Sequence, residues 1–162
     1  MRRKRTLFVT QAAMIAALYV VLTLFANSLG LANYAIQVRF SEGLTVLPYY
    51  TPAAIPGLYA GCLISNILTG AMPLDVIFGS LATLLGALGT YFLRKYKWLA
   101  PIPPILANTI IVPLVLMYVY QFEGNLPYFA LTVGIGELIS CGIIGMSLLF
   151  ALEKYQKELF RS

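Results

Sequence analysis

The way charge is distributed along this chain constrains its fold more than any other feature. Basic residues gather in three short clusters, at 2–5, 94–97 and 154–161, and the stretches between them are long, apolar and sparsely charged. Overall 60% of the 162 residues are hydrophobic and 10% are charged, whereas a soluble domain carries about 25% charged residues. Lipid is therefore the expected solvent for most of the surface. In hydrocarbon every backbone polar group must find its partner inside the protein, and a chain with helix-length apolar runs does this as a bundle of α-helices. The fold class expected is all-α: an integral membrane bundle of six transmembrane helices, the second one short, forming a single domain over residues 1–162.

The apolar runs place spans at about 7–25, 39–50, 51–70, 74–93, 99–120 and 127–152. Pro48, Pro52 and Pro56 punctuate the chain after the second of these, because proline cannot donate the helical hydrogen bond and biases its predecessor toward extended geometry. About a dozen residues at roughly 1.5 Å each reach only partway across a hydrocarbon layer of about 30 Å. That element should be short, tilted or covered by its neighbours. An even number of spans with the basic N-terminus inside puts all three basic clusters on the cytoplasmic side, as the positive-inside rule requires. The net charge of +5 thus needs no nucleic-acid partner. The first apolar run outlasts a signal-peptide core, so it reads as a span in the cell membrane.

Several chemistries are excluded or disfavoured. Histidine is absent, which removes the usual general base and the commonest metal ligand. There is no phosphate-binding P-loop sequence, so any ATP must be used by a partner, and no cofactor or metal is expected in this chain. Cys62 and Cys141 stand alone inside apolar segments and read as small packing residues. No paired acids at matching depth are visible, so an intramembrane enzyme is hard to assemble.

Small residues at a spacing of four mark close helix packing in lipid. They run through the third span as Ala53, Gly57, Gly61 and Ser65, the sixth as Thr132, Gly136 and Ser140, and the fourth as Ala82 and Gly86. In the first span Ala12, Ala13, Ala16 and Ala17 form two overlapping pairs on one side, suited either to packing inside the bundle or to docking on another membrane subunit.

A carboxylate in hydrocarbon is costly unless it faces a protein interior or a wet cavity, so it marks a functional site. Glu137 sits roughly 15 Å into the sixth span, and Asn108 lies at similar depth in the fifth. Gln37, Arg39, Glu42, Asn66 and Asp75 converge nearer the outer surface, with Tyr34 in the preceding loop. Together they outline a pocket open to the exterior, with Glu137 and Asn108 as its floor. Asp75 also suits a first-turn helix acid, and Arg39 with Glu42 an i,i+3 ion pair.

The segments IQVRFSEGLTVLPYYTPAAIPGLYAGCLISN, DVIFGSLATLLGALGTY, APIPPILAN and VGIGELISCGIIG, in this order, resemble QueT-type queuosine-precursor transporters. The alanine pairs of the first span resemble the docking face of substrate-binding subunits in energy-coupling factor transporters. The resemblance implies a membrane-embedded binding subunit that captures a 7-deazaguanine outside the cell. Such subunits work with an energy-coupling transmembrane subunit and two cytosolic ATPases. It further implies Glu137 as acceptor for the base's two donors, Asn108, Asn66 or Gln37 as donor to its carbonyl, and Tyr34 as a ring to stack on. Asp75 or Glu42 would meet an ammonium, and Arg39 would orient Glu42 or reach the carbonyl. The competing expectation is an autonomous secondary carrier with Glu137 as its ion or proton site.

Overall fold

The computed structural model describes residues 2–30 and 38–159, and the side chains of 2, 3, 157 and 158 are left aside. The described residues are helical throughout, with no strand. Helix α1 spans Arg2–Ser28, followed by a 3-10 helix at Phe40–Tyr49, then α2 at Ala54–Leu68 and α3 at Pro73–Phe92. A 3-10 turn at Lys97–Leu99 leads into α4 at Ile102–Tyr118. The final span is continuous but changes pitch: α5 at Leu126–Glu137, a π-helical stretch at Leu138–Gly145, and α6 at Met146–Glu153. A short α7, Gln156–Leu159, ends it.

Four stretches are long and apolar enough to cross a membrane, namely Lys4–Ser28, Pro73–Phe92, Lys97–Tyr118 and Leu126–Glu153, and Ala54–Leu68 is a shorter apolar helix. Their outer faces carry large apolar side chains such as Val9, Met14, Val21, Ile77, Ile110 and Leu131, as a lipid-facing surface must. The chain is a multi-pass membrane protein.

The short second element is the pillar around which the others stand. Ser41 through Pro48 are all buried, and the helix packs against α1, α2, α3, α6 and the π-helical stretch. Its 3-10 form gives a rise of about 2.0 Å per residue, so its 10 residues reach roughly 20 Å. Its polar groups are satisfied within the bundle. Thr23 Oγ1 donates to Ser41 Oγ at 2.8 Å, and Thr45 Oγ1 donates to the Glu42 carbonyl at 2.5 Å.

The predicted small-residue seams close as packing faces. A Cβ at Gly57 would lie 2.6 Å from the Ala12 carbonyl oxygen, and one at Gly61 3.0 Å from that of Ala16, so α1 and α2 touch backbone to backbone. Gly86 faces Pro104 in the same way, joining α3 to α4. On the final span, Ser140 of the expected stripe meets Gly43 of the pillar, and Gly145, which lies outside that stripe, meets Gly43 and Val46. The four alanines of α1 divide: Ala12 and Ala16 turn toward α2, while Ala13 and Ala17 are exposed.

Both ends of the described chain lie at one end of the bundle. Gln11 Nε2 donates to the Leu159 carbonyl at 2.9 Å, Tyr50 donates to the Leu149 carbonyl at 2.6 Å, and Lys97 pairs with Glu153 at 2.5 Å. Trp98 stacks edge-on against Phe150 with centroids 5.4 Å apart, and Arg94 and Lys97 lie over the Tyr91 and Phe150 rings. Aromatic rings with amphipathic cations are the composition of a membrane–water boundary.

Candidate functional site

At the opposite end a cavity of about 300 Å³ opens between α1, α2, α3 and α4, lined by Thr23, Asn27, Arg39, Asn66, Thr69, Asp75, Val112, Leu116, Tyr120 and Phe122 among others. Below it lies a crevice of about 20 Å³, lined by Arg39, Glu42, Asp75, Gly79, Thr83, Asn108, Val112, Val133 and Glu137. Arg39, Asp75 and Val112 belong to both, so the two form one stepped cavity. The upper step has the volume of a small-molecule pocket, which starts near 300 Å³. The lower one has room for about one water.

Gly79 keeps the step open. A Cβ there would meet Asn66 Nδ2 at 3.2 Å and Asp75 Oδ1 at 3.3 Å.

The crevice floor is a polar knot. Tyr19 donates its hydroxyl to Glu42 Oε1, and Asn108 Nδ2 donates to Glu42 Oε2 at 3.3 Å. Cys141 Sγ lies 3.1 Å from Glu137 Oε2 and 3.3 Å from the Glu42 carbonyl. Donor atoms of Glu42, Glu137 and Cys141 all fall within 4.8 Å of one another. A metal here would have to displace the Tyr19, Asn108 and thiol contacts. As it stands, the set is a hydrogen-bonded cluster. The π-helical stretch begins directly after Glu137, and such local changes of pitch recur at functional sites.

Of the residues expected from sequence, Glu137, Asn108, Asp75, Glu42, Arg39 and Asn66 all line this stepped cavity. Gln37 and Tyr34 fall outside the described residues. Two expectations are corrected. Glu42 does not sit at the rim above Glu137; the pillar carries it down beside Glu137, so the paired acids not visible in the sequence exist. Nor do Arg39 and Glu42 form an ion pair: among the described residues Arg39 has no carboxylate within ion-pair reach, and its guanidinium borders the cavity.

Cys141, expected as mere packing, belongs to the polar knot. Sequence reading also passed over Tyr19, Thr83 and Tyr120, single polar groups in apolar runs that no spacing distinguishes.

Asp75, in the first turn of α3, accepts from the Tyr120 hydroxyl at 2.8 Å, and the Met72 backbone N–H donates to the same hydroxyl at 3.2 Å. Tyr120 lies beyond the end of α4, and partial burial pushes its phenol above the usual range, so it stays protonated and donating at neutral pH.

Comparison with known proteins agrees with this architecture. The profile of a family described as "QueT transporter" matches residues 9–154. A protein of Lactococcus lactis subsp. cremoris (strain MG1363), named "Queuosine precursor transporter QueT", is 34% identical over 98 residues. That alignment takes in 60% of this chain and 57% of the relative's length. No solved structure matches the chain. With a match over nearly all of a helical membrane body built around a polar cavity, the chain belongs to the QueT transporter family, a family of transporters and not of enzymes.

Proposed function

We propose that this chain is the membrane-embedded binding subunit of an energy-coupling factor importer and captures a queuosine precursor, a 7-deazaguanine, from outside the cell. The observation that carries the reading is the stepped cavity: a compartment of small-molecule size leading to a floor of buried carboxylates. A 7-deazaguanine presents two parallel donors, from N1 and the exocyclic amine, that one carboxylate accepts through charge-assisted bonds. Glu42 is already engaged on both oxygens by Tyr19 and Asn108. Glu137 is held by the thiol of Cys141, a weak donor that a ligand N–H readily replaces. Glu137 is therefore the acceptor for the donor edge. Asn108 and Arg39 supply donors for the ring carbonyl, and Asn66 borders the upper step. Asp75, shared by both steps, meets the ammonium of an aminomethyl substituent.

The end bearing Arg94, Lys97 and Lys154 is cytoplasmic in this reading, together with both termini, following the positive-inside rule. The cavity then opens outward. An energy-coupling membrane subunit docks on α1, the least covered of the four long spans, through exposed Ala13 and Ala17. Ala12 and Ala16 are largely taken up by α2. Two cytosolic ATPases supply the energy.

The buried pair Glu42 and Glu137 also favours a second reading, a secondary carrier that moves its solute with a proton.

Calorimetric titration of the purified chain with 7-aminomethyl-7-deazaguanine, 7-cyano-7-deazaguanine, queuine and guanine tests the substrate. Tight binding of one deazaguanine, weakened at least tenfold in Glu137→Gln, is expected. Binding of none would remove the substrate assignment. Uptake into liposomes holding this chain alone, driven by a pH gradient without ATP, would favour the carrier.

A further inference from the structure

The upper step contains a contact that the reading above leaves unused. Asp75 lines the cavity, and the side-chain hydrogen bond that its carboxyl group accepts comes from a phenol, Tyr120, at 2.8 Å. No Lys or Arg among the described residues lies within ion-pair reach of it. The Tyr120 ring lines the same cavity and lies nearly parallel to Phe122, with centroids 5.5 Å apart and planes 28° from one another.

Between the two rings Gln121 adopts a φ of 52°, a left-handed conformation that a residue other than glycine takes up at a cost. It is held there by the Tyr120 N–H to the Val115 carbonyl and the Phe122 N–H to the Leu116 carbonyl, each 3.2 Å. The turn sets both residues on the cavity wall.

We propose that Tyr120 is a specificity-determining residue: its hydroxyl holds Asp75 until a primary amine on the ligand takes its place, and its ring, with Phe122, is the platform on which the ligand's planar heterocycle stacks. The inference rests on the functional reading above and names a residue that reading does not use. Exchange is favourable because an ammonium brings Asp75 a full opposite charge along with its hydrogen bond, whereas the phenol brings the hydrogen bond alone. A ligand without a cation has nothing to offer Asp75 that the phenol does not already supply. Once Asp75 is released, the Met72 N–H still donates to the Tyr120 oxygen. The ring therefore stays at the cavity wall while its hydroxyl proton turns away. Stacking itself is indifferent to the substituent, because every base has a π-face. Amine recognition and ring recognition thus meet in one side chain but separate under mutation.

The test titrates the full-length chain, wild type and variants, with 7-aminomethyl-7-deazaguanine and its 7-cyano relative. Tyr120→Phe keeps the ring and removes the competing hydroxyl. The cyano form should bind it within about twofold of wild type and the aminomethyl form several-fold more tightly, raising the preference ratio. Tyr120→Leu removes the platform and should weaken both by roughly tenfold or more. Asp75→Asn should abolish the preference. A ratio unmoved in Tyr120→Phe, or equal losses of both ligands in Tyr120→Phe and Tyr120→Leu, would overturn the inference while leaving the functional reading standing. Thermal unfolding confirms that each variant is folded, and the Phe variant decides the matter should the Leu variant not fold. Wild-type protein that binds neither ligand would overturn the functional reading and this inference with it.

Discussion

Substitution of Gly57 by alanine measures how tightly α1 and α2 are joined. The added methyl would lie 2.6 Å from the Ala12 carbonyl oxygen, 3.1 Å from Ile15 Cβ and 3.2 Å from Ala12 Cα. Ordinary contact begins near 3.4 Å, so the seam must open by about 0.8 Å at its closest point. The obstruction is main chain and cannot rotate aside as a side chain would. Overpacking of this kind costs about 1–3 kcal/mol, and the rigid obstacle favours the upper half of that range. Alanine regains roughly 1 kcal/mol over glycine in a helix interior, leaving a net loss of about 1–2 kcal/mol.

At about 2–4 °C per kcal/mol for a chain of this size, the unfolding midpoint should fall by roughly 2–8 °C. The assay is thermal unfolding of the purified protein in one detergent, followed by helical circular dichroism. Gly142→Ala is the control, because a methyl there meets nothing within 4 Å and keeps only the helix-propensity gain. Equal midpoints for the two variants would refute the backbone-contact argument. The displaced seam also carries Tyr19, whose Cβ is 2.7 Å from the ideal Cβ position of Gly61. Gly57→Ala should therefore weaken ligand binding as well.

Tyr19→Phe removes the hydroxyl that Glu42 accepts and leaves a buried carboxylate oxygen short of a partner, a loss of about 1–3 kcal/mol that should appear as a lower unfolding midpoint. An unchanged midpoint would show that the Tyr19 contact is dispensable. Ser140→Ala should be neutral or stabilising, since the buried Ser140 Oγ has no hydrogen-bond partner, and a fall of several degrees would contradict that geometry. Cys62 and Cys141 are free and buried, so both should react with a membrane-permeant maleimide only after unfolding. Rapid labelling of the folded chain would show that the interior opens.

The sequence reveals much of this molecule because lipid punishes disorder in the pattern. Apolar runs and proline punctuation place the spans to within a few residues of their observed limits, as at Pro73–Phe92 against the expected 74–93. The small-residue stripe from Ala53 to Ser65 identifies the face of α2 that α1 covers. Depth was harder to read. Glu42 looks like a rim residue when counted along a short α-helix, but burial of the whole 3-10 pillar carries it beside Glu137. Rotation was harder still. Alanines spaced by four and by one lie on two faces at once, and only packing decides that Ala12 and Ala16 turn inward. Tyr19 and Tyr120 carry no motif, and it is the fold that brings each to a carboxylate distant in sequence.

The contact of Gly43 with Gly145 carries an electrical consequence. It lies on the basic-end side of Glu42 and Glu137, where the 3-10 and π-helical backbones press so closely that a methyl on Gly145 would sit 3.2 Å from the Gly43 carbonyl oxygen. A potential of 100 mV does about 2.3 kcal/mol of work on each charge that crosses a membrane, so a thread of water through the protein would be a standing leak. Two glycines pressed together beneath the carboxylates act as an insulator. The polar cavity above can fill with solvent and solute while the membrane holds its voltage.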